Sequence, residues 1–180
     1  MGHAVQVLSP VNAVPSEKPN QAKEEKGWTN KTAMEELTIK LVETEEEMEG
    51  ALSVRFRVFV AEQQVPVDEE LDEFDSSATH AIVVNNGEVV ATGRLVYGNE
   101  DTAVRIGRMA VDVEWRRKGL GGRLLTFLEE EAATQGVSTY ILNAQEYVKE
   151  FYASHGYMER GETFLEADIV HILMRKEAYS

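Results

Sequence analysis

The chain has 180 residues, enough for one domain with a substantial core. Apolar residues make up 43% of it and charged residues 28%, the balance of a globular protein rather than a fibrous or low-complexity one. A formal net charge of −14 disfavours bulk binding to nucleic acid or anionic membrane, and the absence of cysteine excludes disulfides, thiolate metal sites and a cysteine nucleophile.

Residues 1–33 contain Pro10, Pro15 and Pro19 and no sustained periodicity, which predicts a flexible N-terminal arm ahead of a single domain over 34–180. The start lacks the early positive charge of a secretory signal. No apolar run reaches the roughly 18 residues of a membrane span. A soluble, cytoplasmic protein is the expectation.

Leu37 to Glu43, LTIKLVE, alternates apolar and polar residues as a strand does. Thr44 with Glu47 three residues on forms a capping box, and Met48, Leu52, Phe56 and Phe59 then recur at helical spacing as far as about Glu62. An acidic loop follows, holding Asp68, Glu69, Glu70, Asp72, Glu73 and Asp75. HAIVVN from His80 and EVVATGRLVY from Glu88 predict a hairpin turning at Gly87, and Ala103 to Asp112 a further strand. Leu120, Leu124, Phe127, Leu128 and Ala132 fall on one side of an amphipathic helix. TYIL, Thr139 to Leu142, is a short buried strand. Gln145 to Gly156 is a short helix with Val148, Phe151 and Tyr152 on one face and Gly156 as its C-terminal cap. DIVHILMRK, from Asp168, closes the domain as a final strand. This order predicts a mixed α/β sheet with helices on its faces.

The segment Glu114 to Leu125, EWRRKGLGGRLL, places three glycines where that amphipathic helix must begin. A glycine-rich turn opening a helix lets backbone N–H groups converge on an anion, helped by the helix dipole. The Walker A loop is excluded, since Gly121 is followed by Gly122 and Arg123 rather than Lys and Ser or Thr. The dinucleotide fingerprint is excluded too, because Gly119-x-Gly121 leads to Leu124 where a glycine is needed. Six cations, Arg105, Arg108, Arg116, Arg117, Lys118 and Arg123, cluster within an otherwise acidic chain, offset locally only by Asp112 and Glu114. An anionic ligand would account for both the glycines and the charge.

Arg116 to Gly121, RRKGLG, matches the R/Q-x-x-G-x-G/A pyrophosphate-binding loop of the GCN5-related N-acetyltransferases, the GNAT family. RMAVDVEWR before it and LGGRLL within it resemble that family's strand, loop and helix start. Downstream, NAQEYVKEFYASHGY resembles its Asn-containing strand end and F-Y-x-x-x-G-F/Y segment. RFRVFVAEQQVPVDEELDEFD, His80 and FLEADIVHILM resemble a subgroup of small bacterial-type acyltransferases, so the resemblance spans nearly all of residues 37–175.

The resemblance implies an α/β GNAT fold. Its sheet is mixed and mostly antiparallel, splayed between the fourth and fifth strands, with helices on both faces. Acetyl-CoA would lie in the splay, its pantetheine pairing with the backbone of Met109, Ala110 and Val111 as an added strand would. Its pyrophosphate would rest on amides of Arg116, Arg117, Lys118, Gly119, Leu120, Gly121 and Gly122. Asn143 stands where the family often contacts the cofactor. Tyr152 takes the place of the family's general acid, which protonates the departing CoA thiolate. Tyr147 is a weaker substitute. A bound amine would attack the thioester directly, with its oxyanion held by a backbone N–H.

The general base stays open among the acidic loop, His80, His171 and water. The histidines lack metal-ligand spacing, so no metal is expected. The acceptor is a small-molecule or peptide amine, and the acidic balance favours a cationic one. No nucleic acid or membrane partner is expected, and a homodimer is compatible with the family's habit. A non-catalytic acyl-CoA-binding or protein-interaction module on the same fold is the alternative.

Overall fold

The computed structural model of the chain describes residues 37–98 and 102–178. The expected N-terminal arm lies outside them.

β1 (Leu37–Leu41) is followed by α1 (Glu45–Arg55). Thr44 caps this helix, accepting from the Glu47 amide, while the Glu47 carboxylate reaches back to the amide of Glu43. The reciprocal arm of the expected capping box is thus displaced by one residue. Phe56–Glu62 continues as a π-helix, marked by the Gln63 amide bonding five residues back to the carbonyl of Val58. The buried positions are Ala51, Val54, Arg55 and Val58, one step round from the expected stripe. Met48, Leu52, Phe56 and Phe59 are half-buried beside them.

The acidic segment is folded rather than a simple loop. It forms α2 (Val67–Glu70) and a 3-10 turn (Glu73–Ser76). β2 (Thr79–Asn85), β3 (Glu88–Tyr97) and β4 (Ala103–Val111) make an antiparallel meander. α3 (Leu120–Thr134) connects β4 to β5 (Thr139–Gln145). α4 (Lys149–Ser154), β6 (Met158–Glu166) and β7 (Ile169–Glu177) complete the domain.

The seven strands form one sheet in the order β1-β2-β3-β4-β5-β7-β6, antiparallel everywhere except between β4 and β5. Successive residues of a strand face opposite sides of a sheet, and the core divides accordingly. Val90, Met109 and Val111 pack with α3 and α4 on one face, whereas Val89 and Ala110 pack with Val54, Val58 and Phe59 on the other. Leu120, Leu124, Leu125, Leu128 and Ala132 are the buried side of α3. Leu125 replaces Phe127 in the expected stripe, and Phe127 sits at the core's rim. Among the described residues, no helix is long and apolar enough to cross a membrane.

Candidate functional site

β4 and β5 are paired only from Ala103–Arg105 against Thr139–Ile141. Both strands run on, β4 to Val111 and β5 to Gln145, without further pairing to each other. The parallel ladder therefore forks just after Arg105. Its guanidinium donates to the Asn143 Oδ1 at 3.0 Å across the fork, and the Asn143 Nδ2 donates to Glu166. Both ends of the Asn143 side chain are thus engaged within the protein, so a contact with a ligand in the fork would fall to its backbone. The strand itself continues two residues past Asn143.

β4 carries a bulge along the fork. Thr92 pairs with Ala110 and Arg94 with Gly107, leaving one residue on β3 opposite two on β4, Arg108 and Met109. Arg108 has φ +51°, a left-handed conformation that non-glycine residues seldom adopt.

The glycine-rich segment lies at the C-terminal end of this strand. Gly119 is the N-cap of α3, with φ +79°, and the first helical hydrogen bond runs from the Arg123 amide to the Gly119 carbonyl. The amides of Leu120, Gly121 and Gly122 precede that bond and have no intrahelical acceptor. At Gly121 a Cβ would make ordinary contact with Phe151, 3.5 Å away. At Gly122 it would come within 2.7 Å of the His155 ring. Gly122 is therefore small because α4 packs on it, a reason distinct from ligand access.

The six cations do not act as one patch. Arg116 forms a two-pronged pair with Glu62, both bonds 2.6 Å, and donates its Nε to the Val111 carbonyl. Lys118 lies over the Trp115 ring, 4.4 Å from its centre. Arg108 turns away to the acidic segment. Arg117, Lys118 and Arg123 make no salt bridge among the described residues, and they frame the α3 N-terminus.

Tyr152 is 9% exposed and stacks edge-on to Phe151 and Tyr157, at 4.9 and 5.9 Å. Burial, with Tyr147 nearby, raises its pKa, so its hydroxyl stays protonated across the physiological range. Tyr147 is exposed and belongs to a ring of three hydrogen bonds. Gln63 donates to the Tyr147 hydroxyl at 3.0 Å, the hydroxyl donates to Gln145 at 2.5 Å, and Gln145 donates back to Gln63 at 2.8 Å. Glu62 and Gln63, at the end of the π-helix, thereby hold both arms of the fork, through Arg116 after β4 and Gln145 at the end of β5. Sequence reasoning did not single out Gln63 or Gln145, which belong to no periodic pattern.

The acidic segment is not an open cluster of carboxylates. Glu70, 2% exposed, accepts from the buried Arg55 at 2.5 Å and pairs with Arg108 at 3.0 Å. Asp75 accepts from Arg55 and Arg94, and Asp72 from Arg94 and Arg108. Three arginines and three carboxylates balance. Burial pushes the Asp75 carboxyl up, but the hydrogen bonds and charge of Arg55, with Arg94 beside it, overcome this and hold it at about 2. His80 joins this group, its Nε2 donating to the Asp75 carbonyl at 3.0 Å, and burial lowers its pKa. His171 lies elsewhere, on β7, paired with Gln145 and stacked on Phe164.

The arrangement has counterparts among known proteins. A family model described as an acetyltransferase (GNAT) domain matches residues 32–178. An uncharacterized N-acetyltransferase of Bacillus subtilis, YjcF, is 38% identical over 138 residues, covering 76% of this chain and 97% of its own. An acyl-CoA N-acyltransferase from Pseudomonas aeruginosa superposes with a TM-score of 0.70 at 30% identity, over 79% of this chain and 99% of that one. A crystal structure described as a putative N-acetyltransferase from Lactobacillus plantarum gives a TM-score of 0.74 at 25% identity, over 79% and 99%. A forked β4–β5 ladder with a glycine-capped helix at its open end, in a chain so matched along its domain, makes this protein an N-acetyltransferase of the GNAT family.

Proposed function

We propose that the protein moves an acetyl group from acetyl-CoA to a primary amine by direct attack, with Tyr152 as general acid. The observation that carries this is the conjunction at one end of the fork. β4 backbone without a β5 partner leads, through a 3-10 turn (Val113–Trp115) and the loop after it, to three amides without intrahelical acceptors at a glycine-capped helix start. The strand edge suits the amides of pantetheine, as a guest strand, and the helix start suits a pyrophosphate. Met109, Ala110 and Val111 would line the first, with the Val111 carbonyl already held by Arg116, and the amides from Arg117 to Gly122 the second, since the Arg116 amide bonds the Val113 carbonyl. Asn143 would contribute through its backbone.

In this reading the amine nitrogen attacks the thioester carbonyl carbon, and backbone N–H groups of β4 hold the oxyanion. The carbon–sulfur bond then breaks, and Tyr152 gives its proton to the leaving thiolate. Burial keeps its hydroxyl protonated, so the proton is present when the thiolate forms, while the same burial makes it a weaker acid. Arginines engage Glu70, Asp72 and Asp75, so the nitrogen loses its proton to water or to a base outside that trio, His171 among them. Neutralisation of the trio leaves Asp68, Glu69 and Glu73 as the carboxylates of this segment without a salt bridge among the described residues, which halves the local basis for expecting a cationic acceptor. The net charge of −14 would still steer one at long range.

Acetyl-CoA added to the protein should raise its melting temperature by several degrees. A panel of polyamines, amino acids, aminoglycosides and peptides, read by release of free thiol, should then identify an acceptor. Absence of any thermal shift would refute the cofactor site. A shift with no thiol release from any amine would return the protein to a binding role.

A further inference from the structure

We propose that Arg108 is a positioning residue for the acetyl transfer, fixing the β4 bulge so that its backbone meets the thioester carbonyl. The inference rests on the cofactor site proposed above.

The bulge is held from both faces of the sheet. On one face, the Met109 thioether occupies the space over Gly93. A Cβ on Gly93 would lie 2.6 Å from the Met109 sulfur and 2.9 Å from Leu128 of α3, so any larger residue there would expel Met109. On the other face, the Arg108 guanidinium is spread over four acceptors. Its Nε donates to the Glu70 carbonyl at 3.0 Å and lies 3.0 Å from the Glu70 carboxylate. One terminal nitrogen donates to the Glu69 carbonyl at 2.9 Å and to Asp72 at 3.1 Å. Two of these acceptors are backbone carbonyls at the end of α2, so Arg108 ties the bulge to the main chain of the acidic segment.

That segment is itself immobilised. Arg55, fully buried, holds Glu70 by side chain and by carbonyl and also holds Asp75. Arg94, on the β3 strand that the bulge faces, holds Asp72 and Asp75. Asp72 also caps the 3-10 turn, reciprocally with Asp75. The chain of contacts is closed: β3 to the acidic segment through Arg94, the segment to the bulge through Arg108, and the bulge back to β3.

A closed set of buried and partly buried ion pairs is weak evidence for stability, because desolvation offsets much of the attraction. Fixing one geometry is a better-supported role for it here. The residue it fixes has φ +51°, a conformation it would leave if released. The bulge also begins three residues past the last β4–β5 pair, where the β4 backbone has no β5 partner. The network therefore acts on the part of the strand that would face the acyl carbon and leaves the α3 N-terminus, 11 residues on at Gly119, untouched.

That separation gives a test. Arg108→Gly permits the positive φ but deletes the anchor. Arg108→Lys keeps the charge without the fork. Asp72→Asn removes one carboxylate from a site 22% exposed. Affinities for CoA and for acetyl-CoA are measured by calorimetry on each, beside melting temperatures. CoA lacks the acetyl carbonyl but shares the pyrophosphate and the pantetheine, so a loss at either of those contacts weakens both ligands and cancels in their ratio. The wild type should bind acetyl-CoA severalfold more tightly than CoA. Arg108→Gly and Asp72→Asn should erase that preference, any loss at the shared pantetheine edge weakening both ligands alike, and Arg108→Lys should restore part of it. Equal affinity of the wild type for the two ligands, or an unchanged ratio in the folded variants, would overturn the proposal. A lowered melting temperature with the ratio preserved would reduce the network to a structural one and overturn it equally. Failure of CoA to bind the wild type would instead strike the cofactor site itself.

Discussion

At the scale of single residues, two substitutions separate chemistry from packing. Tyr152 is buried among Phe151 and Tyr157, so its ring packs whether or not its hydroxyl reacts. Tyr152→Phe keeps the ring and removes only the proton donor. Steady-state kinetics should show kcat lower by about a hundredfold, within the usual range for a general acid, with acetyl-CoA affinity nearly unchanged. Unchanged turnover would confine Tyr152 to the core. The neighbouring glycines divide in a similar way. Gly121→Ala is accommodated, because its Cβ meets Phe151 at an ordinary 3.5 Å, whereas Gly121→Glu brings bulk and negative charge to the helix start and should abolish CoA binding by calorimetry. Retained affinity would remove the pyrophosphate from this turn. Gly122→Ala instead presses on a His155 ring whose Nδ1 donates to the Phe151 carbonyl at 2.7 Å, so its effect belongs to the α3–α4 contact.

At the scale of elements, legibility followed how locally each element is determined. α3 announces itself because glycines, leucines and a single buried stripe agree. β6 did not: Met158–Glu166 is exposed throughout, carries four charges and pairs only with β7, so no apolar alternation marks it. The π-helix was also hidden, since FRVFVAE has an ordinary helical pattern and the wider turn is set by tertiary contacts. The acidic segment showed its composition but not its partners, because Arg55, Arg94 and Arg108 come from three distant elements. Tyr152 and the glycine turn were placed correctly on their elements; Gln63 and Gln145 were missed because their meaning lies in a contact 82 residues apart. That contact supports a prediction. Glu62 and Gln63 brace both arms of the fork at its open end. Gln63→Ala should alter the KM for the amine found in the panel by severalfold, as loss of exposed hydrogen bonds allows, with a melting temperature within about two degrees of wild type. An unchanged KM would place the brace away from the acceptor's path.

At the scale of the whole molecule, the net charge of −14 makes carboxylates the main determinant of how stability varies with acidity. Exposed carboxylates repel one another near neutrality, so mild acidification relieves the fold. Glu70 adds to that relief. Its burial raises its pKa despite Arg55, so protonation favours the folded state between its ordinary value and the raised one. Asp75 acts in the opposite direction. Held at about 2 in the folded protein against an ordinary 3.8, it stabilises fully above about pH 4 and loses that contribution as pH falls from there toward 2. The shift corresponds to about 2 kcal/mol. Asp72, held down against its burial by Arg94 and Arg108, follows the same sign. Urea unfolding across pH should therefore show stability level or rising from pH 7 to 5 and falling below pH 4. Asp75→Asn, less stable at neutrality because Arg55 loses a buried partner, should lose less than the wild type between pH 4 and 2. Parallel losses in the two proteins across that interval would show that Asp75 is not what the acid attacks. A shallower loss in the variant would place the acid sensitivity of the domain in the same ion-pair group that anchors the β4 bulge, so that acetyl-CoA discrimination and acid resistance should weaken together as the pH falls.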